Sequence, residues 1–157
     1  KNIVDRMTLV PTRPDNTQYQ LMRVMVEMGW RHVRVLNLSD IREPKSPRLF
    51  QTLRSLQSVP HSDCHTIFSP GRAGELNRLK GMSTTPVIAG WGRHPDLEPL
   101  ARLCRCALAD RLLVGVPVPG HPMRYGHPSP HLQTAKLAWL ATVHHQLGVR
   151  LSGESIT

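Results

Sequence analysis

Two continuous apolar runs, "TPVIAGWG" (85–92) and "RLLVGVPV" (111–118), flank a helical stretch, "PDLEPLARLCRCALA" (95–109). A strand that is apolar at nearly every position has no face to show to water, so it favours a parallel sheet with helices on both faces. The rest of the chain continues that alternation. "RMTLVPT" (6–12) has the look of a short buried strand that stops at Pro11. "TQYQLMRVMVEMG" (17–29) places Leu21, Val24, Met25 and Met28 on one face and closes on Gly29, the pattern of a capped helix. "HVRVLNLSD" (32–40) alternates through Val33, Val35 and Leu36 and is expected to be the second strand. An amphipathic run follows at 47–57, then a loop over 58–71 with a brief strand at "TIF", then a short helix over 72–80. The expectation is an α/β fold in one domain spanning 1–157: a three-layer α/β/α sandwich around a central, mainly parallel sheet of four or five strands.

Lys and Arg total 20 against 11 Asp and Glu, a formal charge of +9. A polyanion, with nucleic acid first, is the partner such an excess favours, although a merely basic protein carries the same charge. Cys64, Cys104 and Cys106 are odd in number and contain no CxxC pair. They support neither a disulfide framework nor a zinc ribbon, and a reducing cytoplasm fits best. No apolar stretch approaches the roughly 18 residues of a membrane span, and no signal peptide opens the chain, although its start at Lys1 implies a trimmed N-terminus. The expected species is a cytoplasmic monomer without membrane attachment.

In open α/β sheets, sites lie at the carboxyl ends of the strands. There the chain has "VPTRPDN", "NLSD", "GWGRH" and "PGHPMRYGHPSPH". Each alone is adequate as a turn; together they bring a histidine, an asparagine and carboxylates to one edge. The ordered set "LVPTRPDN", "VLNLSD", "VIAGWG" and "GHPSPH" resembles the uracil-DNA glycosylase superfamily across residues 6 to 145. It is similar in particular to a bacterial branch whose first loop reads Leu-Asn-Pro-Ser and whose second strand ends Val-Asn-Leu.

The resemblance implies a monofunctional DNA glycosylase, a hydrolase without cofactor or metal, acting on a flipped nucleotide in repair or in defence against phage with modified DNA. His127 would be the leaving-group histidine, hydrogen-bonding the base as negative charge develops, with Pro128 and Pro130 stiffening its backbone. Asn37, which donates and accepts at once, would read the base edge, beside Pro11 and Thr12 of the first loop. Ser129 would grip a flanking phosphate, and His131 stands where the family often has a wedging leucine. The family usually has Asp or Asn before the first loop's proline; this chain has Val10, which leaves Asp15 or Asn16 to position water. Arg13, Arg93, Arg124 and Tyr125 would contact DNA along the same edge. Structural roles stand beside these: a turn for Asn37, a capping loop around His127, an N-cap for Ser129 and another for Asp15. Trp91 and Gly92 are expected to be architectural. "HSDCH" (61–65) lacks a fourth zinc ligand, three cysteines cannot hold a four-cysteine iron–sulfur cluster, and His144 and His145 are expected at a helix C-terminus. A second class, a DNA- or protein-binding module without catalysis, is favoured by Val10 and opposed by His127 and Asn37. A third, a metal-dependent nuclease or nucleotide-processing enzyme, finds no phosphate-loop lysine motif.

Overall fold

The computed structural model of the chain describes residues 13–59 and 62–153. The expected first strand, with Pro11 and Thr12, and His61 of the "HSDCH" segment lie outside the described residues. In chain order the described elements are α1 (Asn16–Met28), α2 (Ser46–Gln57), α3 (Ala73–Leu79), β1 (Val87–Ala89), α4 (Glu98–Ala107), β2 (Leu113–Gly115), β3 (Pro117–Val118), β4 (His121–Tyr125) and α5 (Gln133–Gly153). Short 3-10 turns at Ser62–His65, Pro70–Arg72 and Pro95–Leu97 link them.

The expected central sheet of four or five strands is not formed among the described residues: 51% of the structure is helical and 10% strand, and the two described sheets are each two-stranded. β1 and β2 pair in parallel with Val87 opposite Leu113, Ile88 opposite Val114 and Ala89 opposite Gly115, and α4 makes the crossover. β3 and β4 form an antiparallel hairpin. The expected second strand over 32–40 takes up no strand pairing, although Leu36 and Leu38 are held by the core. Of the residues that gave the alternation, Leu36 packs on the core while Val35 is 55% exposed. The "TIF" segment is also no strand. It lies between two 3-10 turns, with Thr66, Ile67 and Phe68 buried.

Two apolar clusters meet at the parallel pair. One gathers Leu53 of α2, Leu76 of α3, Leu100, Ala101 and Cys104 of α4, and Phe68. The other joins Val24 of α1 to Trp139, Leu140, Val143 and Leu147 of α5. Successive side chains on a strand face opposite ways. Accordingly Val87 packs on the first cluster and Ile88 on the second, while Leu112, Val114 and Val116 recur at a period of two on the second. Helix α1 forms where the periodicity predicts, opened by Asp15 and closed by Gly29 in the left-handed region at φ 66°. Its buried Gln20 donates from Nε2 to the Lys136 carbonyl at 2.6 Å, fastening α1 to α5. Helix α5 continues to Gly153, so His144 and His145 sit within it rather than at its C-terminus.

A buried arginine ties the loop behind α3 to the start of β2. The Arg111 side chain is 2% exposed, and its guanidinium donates to the carbonyls of Lys80, Gly81 and Met82. Removing the donors while keeping the stem strands carbonyls that the chain has folded around. Arg111→Met should therefore cost about 2 kcal/mol or more in urea unfolding, and a midpoint equal to the parent's would show that the carbonyls are satisfied otherwise. Burial also pushes the Cys104 thiol up to about 12, while Cys64 and Cys106 are exposed. At pH 8 a disulfide reagent should label two thiols in the folded protein and the third only after denaturation.

Candidate functional site

The carboxyl end of β1 runs into Gly90, Trp91 and Gly92, and the segment around His127 is built against it. Gly92 and Tyr125 form an antiparallel bridge, with Gly92 N donating to Tyr125 O at 2.9 Å and Tyr125 N to Gly92 O at 3.2 Å. Gly126 N donates to Val116 O at 2.7 Å, and its own carbonyl accepts from Trp139 Nε1 at 3.1 Å. Pro128 is buried over Gly90, close enough that a Cβ there would lie 2.8 Å from the proline Cδ. The bridge and this contact gather Arg93, Arg124, Tyr125, His127 and Ser129 at one edge. Trp91 is architectural, as expected: its Nε1 donates to Met123 O at 2.8 Å, and its ring meets Tyr125 edge to face at 5.1 Å.

His127 is exposed, and its Nδ1 accepts from the Ser129 backbone N–H at 3.2 Å. A neutral ring that accepts at Nδ1 carries its proton on Nε2, so it presents a donor outward. His131 is exposed as well and Leu132 is 70% exposed; α5 begins at Gln133, two residues later than His131. Arg124 is not available as a free cation, because its Nε donates to Glu98 Oε1 at 2.6 Å. Arg93 is exposed and has no ion pair among the described residues. Tyr125 is half-buried under Trp91, which leaves it less free to stack on a base.

Asn37 lies on a different support. It is exposed between Leu36 and Leu38, which anchor in the cluster of α2, α3 and α4. The turn after it is fixed by contacts that sequence reasoning passed over. Ser39 Oγ lies 3.0 Å from His65 Nδ1 and accepts from Ile41 N, while Asp40 N donates to His65 O at 2.8 Å. Arg72 forks between Asp40 and Glu75, which raises its own pKa and lowers that of Glu75, chiefly through the Arg72–Glu75 hydrogen bond. The histidine in "HSDCH" was the available signal for this network; its partner Ser39, 26 residues away, carried none. Among the described residues no hydrogen bond or ion pair joins Asn37 to His127. Two shallow concavities of the surface do not include them: one lies along α1 at Tyr19, Met22 and Val26, the other between α4 and β2 at Cys104, Leu108 and Arg111.

Comparison with protein families, with characterised proteins and with solved structures finds no match to this chain.

Arg13 and Asn16 are exposed at the start of α1. Asp15 forms a capping box there: its Oδ1 accepts from Gln18 N at 2.8 Å, and Gln18 Oε1 accepts from Asp15 N at 2.8 Å. A carboxylate and a hydroxyl cap helices about equally well, so the two substitutions isolate what the cap contributes to stability. Asp15→Ala should cost about 1 kcal/mol of thermal stability and Asp15→Ser only a few tenths. A serine variant as unstable as the alanine one would mean that the carboxylate has a structural role beyond the cap.

Proposed function

We propose that the chain is a monofunctional DNA glycosylase that takes a nucleotide out of the stack and hydrolyses the N-glycosidic bond of a uracil-like or modified base, leaving an abasic site. The observation that carries this reading is the Ser129 N–H on Nδ1 of the exposed His127, which leaves Nε2 to carry the proton of the neutral ring. Departure of a pyrimidine-like base leaves negative charge on its carbonyl oxygen. A neutral imidazole N–H fixed before the reaction stabilises that charge without first reorganising. Asn37 offers the paired donor and acceptor that base recognition requires, and Ser129 and Arg93 supply polar and cationic groups for flanking phosphates. Water, placed by Asp15 or Asn16, attacks the sugar carbon. No lysine stands in the matched motifs to attack instead, so the strand is left uncut. Repair of uracil and defence against modified phage DNA both consume this chemistry.

Asp15 already serves α1 as a cap, and this favours a second reading: a DNA- or protein-binding module without catalysis. One experiment decides between them. Purified protein is incubated with duplexes bearing uracil, with phage DNA bearing modified cytosine and with plain DNA, and alkali-labile breaks are scored. Breaks are expected on one of the first two substrates, falling on the order of a hundredfold in His127→Ala and by at least tenfold in Asn37→Ala. Tight binding with no breaks on any substrate would leave only the binding module.

A further inference from the structure

We infer that Gly90 is a positioning residue for His127: by carrying no side chain it admits the Pro128 ring to the carboxyl end of β1, and the seated ring holds the imidazole in its outward, Nε2-protonated form. This goes beyond the glycosylase reading and rests on it only where a rate is measured.

A Cβ at position 90 would lie 2.8 Å from Cδ and 2.9 Å from Cγ of Pro128, inside any distance that carbon atoms tolerate. Neither side can yield cheaply. The pyrrolidine ring has no rotamer to turn away with, and Pro128 is buried. The residue two before it, Gly126, is fastened at both of its backbone groups, to Val116 O at 2.7 Å and by Trp139 Nε1 at 3.1 Å. Gly90 is also not among the glycines at positive φ, so its own backbone accommodates an alanine. The obstacle is the Pro128 ring alone, which makes the contact separable by mutation.

The link from ring to imidazole is short. The hydrogen bond that sets the His127 tautomer runs from Ser129 N to His127 Nδ1, and its two ends are the residues on either side of Pro128. Displacing the ring moves both ends. Once the 3.2 Å bond opens, Nδ1 is free to take the proton, and the Nε2-protonated form becomes one of two exchanging tautomers.

The test is a double-mutant cycle between Gly90→Ala and Pro128→Ala, with the ring nitrogens of His127 observed by 15N NMR at a pH where the ring is neutral. The parent should show a single tautomer protonated at Nε2. Gly90→Ala should move both ring nitrogens toward the average of two tautomers. In the Pro128→Ala background the same alanine should change nothing further, because the ring it meets is gone. Trp139→Phe, which keeps an aromatic ring and removes only the donor to Gly126, should shift the signals in the same direction and serves if Gly90→Ala does not fold. A His127 spectrum in Gly90→Ala equal to the parent's, or an equal change with and without the Pro128 ring, would overturn the inference, as would an unmoved spectrum in Trp139→Phe. In the glycosylase assay Gly90→Ala should lose at least tenfold in rate. A parent protein that releases no base refutes the glycosylase reading and leaves the spectral arm to decide this one.

Discussion

The parallel pairing of Val87–Ala89 with Leu113–Gly115 is the contact on which both apolar clusters rest. Gly115 sits at φ 151°, and a Cβ there would stand 2.5 Å from Ala89 O and 2.9 Å from Tyr125 Cδ1, so only glycine lets β2 close against β1 while the hairpin strand passes beside it. A strand this short leaves backbone groups in need of partners. The Gln146 amide meets them at Gly115, with Oε1 accepting from its N–H at 2.8 Å and Nε2 donating to its carbonyl at 2.9 Å. A side chain from α5 thus does for that residue what a neighbouring strand would do, and it ties the helix of the second cluster to the strand it covers.

The two halves of the candidate site draw on different clusters. His127 depends on Gly126, Pro128 and Trp139, the last a buried member of the α1–α5 cluster. Asn37 depends on Leu36 and Leu38 and on the turn locked by Ser39, His65, Asp40 and Arg72, all on the side of α2, α3 and α4. What relates them is the strand pair between the clusters. A change in how β1 meets β2 would therefore alter the spacing of the two side chains without touching either.

Helix positions were legible where a period of three and four leaves few alternatives: the apolar face of 17–29, the proline-opened run at 47–57 and the run 95–109 behind its prolines all contain helices. The apolar runs at 85–92 and 111–118 likewise contain the parallel pair. The segment 32–40 misled because Val33, Val35 and Leu36 state only that a segment is part-buried, not that a ladder partner exists. The hairpin was hidden for the opposite reason. Pro117, Pro122 and Gly120 punctuate 117–125 like a loop, yet proline is tolerated on short edge strands and Gly120, at φ 73°, makes the turn between them. At the site, the prolines marked a stiff loop at His127, but the Ser129 N–H that meets its Nδ1 was not foreseen. The support under Asn37 depends on Ser39 and His65, whose pairing needed tertiary structure.

Charge was legible in amount but not in disposition. The excess of nine positive charges suggests a cationic edge of arginines awaiting phosphate. Several of those arginines are instead committed within the fold: Arg124 to Glu98, Arg54 to Asp96, Arg72 to Asp40 and Glu75, and Arg111 to three carbonyls. A phosphate approaching Arg124 would have to displace a carboxylate already 2.6 Å from its Nε, so this residue orients β4 on α4 more readily than it binds a backbone. Arg93, exposed beside it, has no such competitor among the described residues. The proposed DNA reading therefore relies on the summed positive field, which reaches about 8 Å at physiological salt, and at the His127 edge on Arg93 rather than Arg124.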